Sequence, residues 1–144
     1  MPEHVLVPVD DSDQSTDALE FACREYPDAT ITALHVLDPR GFYGMTNIEG
    51  TAETNYEKLE AQNKERAEAL LEDAREQAAE LGCEIETDHA VGVVADAIVD
   101  YAADHDVDHI AIGSHGRTGA SRILLGSVAE TVARRSPVPV AIVR

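Results

Sequence analysis

At 144 residues with 44% hydrophobic content, the chain is the size of one compact domain, 1–144, large enough to bury a real core. Twenty-eight acidic residues against eleven basic ones give a net charge of −17, with Lys58 and Lys64 the only lysines, and such a surface repels a nucleic-acid backbone. No apolar run approaches the ~20 residues of a membrane span, and the opening MPEHVLVPVD lacks a basic segment leading into an apolar one, so a soluble, cytoplasmic protein is expected, with no nucleic-acid and no membrane partner.

In chain order, VLVPVD (residues 5–10) is a β-branched apolar run bounded by DDSDQS, whose serines and aspartates are natural helix caps, and it reads as a buried first strand. Ala18, Leu19, Phe21, Ala22 and Tyr26 then recur at helical spacing up to Pro27, and TITALHVL (30–37) follows as a second strand. Residues 38–54 hold three glycines, a proline and no helical period; a connection of that length is typical of lids and contact surfaces. Tyr56, Leu59, Asn63, Leu70, Leu71, Ala74, Ala78 and Leu81 fall on one face of a long helix that Gly82 ends.

CEIETDHAV (83–91) alternates as a third strand. Residues 93–103 form a short helix with Val94, Ala97, Ile98 and Tyr101 inward, and DHIAIG (108–113) is a fourth strand. A glycine-rich loop leads to a helix over 126–135, whose Arg134 and Arg135 suit its negative end, and VPVAIV (138–143) is a fifth strand. Strands alternating with helices throughout point to an α/β fold: a doubly wound five-stranded parallel sheet of order 3-2-1-4-5 with helices on both faces. In such sheets ligands collect at the carboxyl ends of the strands where the order reverses, here between strands one and four, which brings Asp10 beside Gly113.

GSHGRTGASRILLGSV (113–128) supplies that crevice with glycines that permit positive φ and close backbone approach, followed by a helix start at Gly126 and Ser127 with unpaired amides and a hydroxyl. Converging donors of this kind suit an anion, and Arg117 adds a charge-assisted contact. A tight turn before an ordinary capped helix accounts for the same glycines. Neither GxxxxGK[ST] nor GxGxxG is present.

PVDDS after strand one, LHV on strand two, and GSHGRTGASRILLGSVAETVARRSPVPVAIV together resemble the universal stress protein family, over the whole chain. Gly113, Gly116, Gly126 and Ser127 satisfy G-x2-G-x9-G-[ST], the mark of that family's ATP-binding branch. The resemblance implies an adenine nucleotide, ATP, with Asp10 on the ribose hydroxyls, the Val36 backbone at the adenine, and Pro8 and Val9 lining the pocket. It places Ile112 and Gly113 beside the nucleoside and Gly116, Arg117, Gly126, Ser127 and Val128 around the phosphates, and it implies a homodimer through the C-terminal strand. Val94 departs from the proline or small residue that relatives often carry near the glycine matching Gly92.

The remaining candidates are weaker. Asp10, Asp11 and Asp13 read as helix caps before cation ligands, so Mg2+ is expected to be held mainly by nucleotide phosphates. His105 and His109 straddle a helix end and a strand and do not share a metal-binding face. His115 suits proton transfer or plain hydrogen bonding, and no catalytic Ser, His, Asp grouping is legible. Cys23 and Cys83 read as packing residues. The lysine-poor acidity favours adaptation to high salt over an ordinary solvated surface. The expected function is a nucleotide-dependent stress-response or signalling module, at most a slow ATPase. The alternatives are an efficient ATPase or nucleotidyl transferase of the same fold, and a dimeric scaffold that binds no nucleotide.

Overall fold

The computed structural model describes residues 3–38, 52–114 and 126–144, with the side chains of all of these except 52–60. The elements run β1 (His4–Pro8), α1 (Asp13–Glu25), β2 (Thr30–Leu37), α2 (Ala52–Glu80), β3 (Glu86–Val91), α3 (Val94–Asp104), β4 (His109–Gly113), α4 (Ser127–Arg135) and β5 (Val140–Val143). All strand pairs are parallel, as the alternation of strands and helices suggests, and the strand order is β3-β2-β1-β4-β5 as expected. Among the described residues no helix is long and apolar enough to cross a membrane.

Both faces of the sheet are covered, so the central strands are apolar at nearly every position and split their side chains by parity. Val5, Val7, Ile31, Ala33 and Ala111 face α1 and α2, in a cluster with Leu19, Ala22, Leu71 and Ala78. Leu6, Leu34, Val36, Ile110 and Ile112 face α3 and α4, in a cluster with Ile98, Ala129 and Val132.

Several boundaries move for local reasons. β1 ends at Pro8, which has no N–H to donate, although Val9 N–H still donates to Leu34 O at 2.8 Å and keeps the chain extended. Residues 52–54, expected in the loop, are the first turn of α2, where the apolar period had not yet begun. Leu81, expected on the inner face of α2, is 39% exposed because the helix ends at Glu80 and the chain turns at Gly82 (φ +74°). On α2, Ala67 takes its place beside Leu71, Ala74 and Ala78 among the buried residues, while Tyr56 and Leu59 lie outside the described side chains. The expected third strand loses residues 83–85 to the same turn. On α3, Ile98 is buried as expected, and Ala95 and Ala102 join it.

Candidate functional site

The β1–β2 ladder contains five paired positions and the β4–β5 ladder four, but β1 and β4 pair only at Val5 with His109 and Leu6 with Ile110. No paired position follows toward the carboxyl ends. There β1 leads into α1 on one face, while the chain after β4 returns at α4 on the other, which is the crevice geometry of a doubly wound sheet.

On the β1 side, a compact polar lock holds Asp10. Its Oδ1 accepts from Ser12 N–H at 2.8 Å, a local turn in which the side chain stands in for a backbone carbonyl. The Ser15 hydroxyl donates to Asp10 O at 2.9 Å and accepts from Asp10 N–H at 3.2 Å. Ser12 caps α1 by accepting from Ser15 N–H at 3.2 Å, with Asp13 in the first helical turn. One residue earlier, His35 Nδ1–H donates to Val9 O at 2.9 Å, and this carbonyl contact assigns the proton to Nδ1. Among the described residues, the hydrogen bonds of Asp10 run to Ser12 and Ser15 through its backbone and Oδ1.

On the β4 side, Ser114 is buried; its N–H donates to Val143 O at 2.8 Å and its carbonyl accepts from Gly126 N–H at 2.7 Å. That second bond brings the start of α4 back against the end of β4. Gly126 is the N-cap of α4 and carries no side-chain cap. Helix geometry gives the amides of Ser127, Val128 and Ala129 no partner within α4, and Ser127 is exposed, so amides, a hydroxyl and the positive helix end coincide there.

Among the described residues, Gly113 and Gly126 serve a purpose other than the expected positive φ. Gly126 has φ −66°, a value open to any residue, and the described positive-φ glycines are Gly82 and Gly92. Gly113 is needed for space: a Cβ there would lie 2.8 Å from the backbone and Cβ of Gln14, in the first turn of α1. The glycine ending β4 therefore lets α1 start directly over the strand. Gly116 and Arg117, with His115, lie outside the described residues.

Of the other expected site residues, Val9 is buried on the α1–α2 side, Val36 and Ile112 are buried on the α3–α4 side, and Pro8 and Val128 are half-buried. The crevice thus draws on both faces. A cavity of about 400 Å³ opens between α1 and α2, lined by Val9, Asp10, Ser15, Leu70, Asp73 and Gln77 among others. It shares Val9 and Asp10 with the crevice but none of the residues around α4, so it adjoins the expected site and does not coincide with it.

His105 and His109 are not brought together. His105 stacks on Tyr101 with ring centroids 3.8 Å apart, whereas His109 is hydrogen-bonded to Tyr26 Oη at 2.9 Å. Among the described residues no three His, Cys, Asp or Glu side chains gather as metal ligands. Ser15 and His35 were not singled out from sequence. A usable signal existed for His35, which interrupts the otherwise apolar face of Ile31, Ala33 and Leu37 on β2, beside the end of β1.

A model of the universal stress protein family matches residues 1–144. A universal stress protein of Methanocaldococcus jannaschii, MJ0531, is 36% identical over 143 residues, covering 97% of this chain and 81% of its own length. Among solved structures, protein MJ0577 of the same organism superposes with a TM-score of 0.82 at 30% identity, covering 98% of this chain and 94% of its own. The Archaeoglobus fulgidus universal stress protein, solved in complex with dAMP, superposes with a TM-score of 0.66 at 26% identity, covering 99% and 98%.

Proposed function

Because the chain belongs to the universal stress protein family, we propose that it binds ATP in the crevice between β1 and β4, the whole chain acting as one nucleotide-binding unit. Its role is that of a nucleotide-dependent stress-response or signalling module, with hydrolysis slow at most. The observation that carries this reading is the bond from Gly126 N–H to Ser114 O, which sets the exposed start of α4 beside the strand end that follows the β1 crevice. The dAMP complex of the Archaeoglobus relative supports an adenine nucleotide as the ligand.

In this reading Asp10 accepts from the ribose hydroxyls, the Val36 backbone meets the adenine, and Pro8, Val9, Ile112 and Gly113 line the nucleoside pocket. Gly116, Arg117, Gly126, Ser127 and Val128 surround the phosphates, where amides at a helix start favour negative charge. Mg2+ is held mainly by the phosphates themselves. Ser15 and His35 position Asp10 through the backbone at residues 9 and 10.

Titration calorimetry with ATP and magnesium tests the site on three proteins first shown to be folded. Gly126→Val puts a branched side chain at the phosphates, and with φ at −66° the backbone does not resist it. Asp10→Asn keeps an acceptor for Ser12 N–H while removing the carboxylate. The expected affinity order is parent, then Asp10→Asn, then Gly126→Val; equal affinity in parent and Gly126→Val would make the loop structural.

Two further properties belong to the same proposal. A second copy pairs along β5, an edge strand whose four residues are all partly exposed, and sedimentation should show a dimer that Val140→Pro disrupts. The net charge of −17 fits a protein of a salty cytoplasm, in which case the thermal midpoint rises with potassium chloride. A flat midpoint from dilute buffer to molar salt would remove that last inference.

A further inference from the structure

At the end of the sheet opposite Asp10 and Gly126, two cysteines share one apolar cluster. Gly82 at φ +74° closes α2 with paired bonds, from Gly82 N–H to Ala79 O at 3.0 Å and from Cys83 N–H to Ala78 O at 2.9 Å. This pairing folds the residue after the glycine back onto the helix. Cys83 is thereby packed against the apolar cluster that contains both Ala78 and Cys23, the latter on the last two turns of α1. Cys83 is thus a neighbour of Cys23 at the edge of this cluster. Cys23 is buried and Cys83 is partly exposed.

We propose that Cys23 and Cys83 form a reversible intramolecular disulfide, oxidised by a small disulfide of the glutathione type, that ties the end of α1 to the turn closing α2. Exposure makes Cys83 the entry point. Its thiolate attacks one sulfur of the oxidant and expels the other half as a thiolate, leaving a mixed disulfide on Cys83. Cys23 then attacks the Cys83 sulfur and expels the second half, and the Cys23 proton passes to that leaving thiolate. Two protein thiols are oxidised and one small disulfide is reduced to two thiols.

The difference between the two cysteines sets the order of events. Burial, with the neighbouring Cys83 adding to it, pushes the Cys23 thiol up to about 12, so Cys23 does not react with an oxidant in solution. Only a sulfur already in contact with it is within reach. Forming the bond draws the two sulfurs to about 2.05 Å, and Cys83 can supply that movement because residues 81–85 lie between α2 and β3 without regular structure. In a reducing compartment the pair stays open, and a more oxidising poise closes it.

The test is intact-mass spectrometry on the full chain after graded exposure to oxidised glutathione and acid quenching. The expected product is lighter by two hydrogens, yields a tryptic peptide joining Cys23 to Cys83, reverts with dithiothreitol and melts at higher temperature than the reduced form. Cys23→Ala should instead accumulate a glutathione adduct on Cys83, and Cys83→Ala should stay unmodified while folded. A lasting adduct on Cys83 of the parent with Cys23 free, a disulfide between two copies, or no reaction at all would each overturn the proposal, and the parent protein decides it even where a variant folds poorly.

Discussion

On the α3–α4 side of the sheet, Leu6, Leu34, Ile98, Ile110 and Val132 fill the space between backbones with large side chains. On the α1–α2 side, Ala18, Ala22, Ala33, Ala74, Ala78 and Ala111 draw helices and strands closer, and at Gly113 strand and helix backbones all but touch. The first face is vulnerable to lost volume and the second to added volume. The site borders the tight face: α1 can begin over β4, with Asp10 just before its cap and Ser15 in its opening turn, only because nothing projects from Gly113.

Ile98→Ala should produce the largest effect, about 2–5 kcal/mol of lost stability, because a fully buried side chain leaves a cavity. Gly113→Ala follows at about 1–3 kcal/mol, since the new Cβ meets backbone at Gln14 and no rotamer relieves it. Urea unfolding of both proteins checks the pair. A neutral or stabilising Gly113→Ala would show that α1 yields freely and that the contrast between faces is shallow.

Among the described residues, each face also carries a tyrosine hydroxyl bonded to a strand side chain. Tyr101 Oη donates to Asp88 Oδ2 at 2.9 Å on the α3 side, whereas Tyr26 Oη bonds His109 Nε2 at 2.9 Å on the α1 side. The charged acceptor makes the first bond stronger, although solvent reaches the pair. Tyr101→Phe should cost about 1–1.5 kcal/mol and Tyr26→Phe about 0.5–1 kcal/mol. Equal losses by urea unfolding would mean that the Asp88 charge is fully screened.

The smallest effect is one of pH. Burial lowers the His109 pKa from its ordinary value of 6.5, against a smaller opposing pull from Asp108. Below about 6.5 the unfolded chain binds this proton more readily than the folded one, so the His109 contribution is present above that value and is lost as pH falls toward the lowered folded pKa. Stability measured from pH 7.5 to 5 should decline more steeply in the parent than in His109→Gln, a comparison that cancels the falling self-repulsion of the acidic surface. Identical slopes would place His109 in an environment no different from water.

The strands at residues 30–37 and 109–113 were legible because a parallel sheet buried on both faces demands runs of apolar residues bounded by breakers. DDSDQS was legible as a cap because Ser12 acts within four residues of itself. The end of β1 was less so, since the effect of Pro8 depends on which neighbours its missing donor faces.

Alternation of strand and helix, together with the handedness of crossovers, was enough to give a parallel sheet with helices on both faces, and the glycine spacing was enough to single out 113–127 as a phosphate-loop candidate. Tertiary structure alone decided why two of those glycines sit where they do: Gly113 because α1 crosses β4 there, and Gly126 as an ordinary extended N-cap. It also decided that His35, on β2, holds the end of β1, and that Cys23 and Cys83 share one cluster. The physical reason is common to all of these: periodicity and capping act over a few residues, whereas backbone approach and side-chain pairing join segments 26 to 99 residues apart, a proximity that exists only once both faces of the sheet have packed.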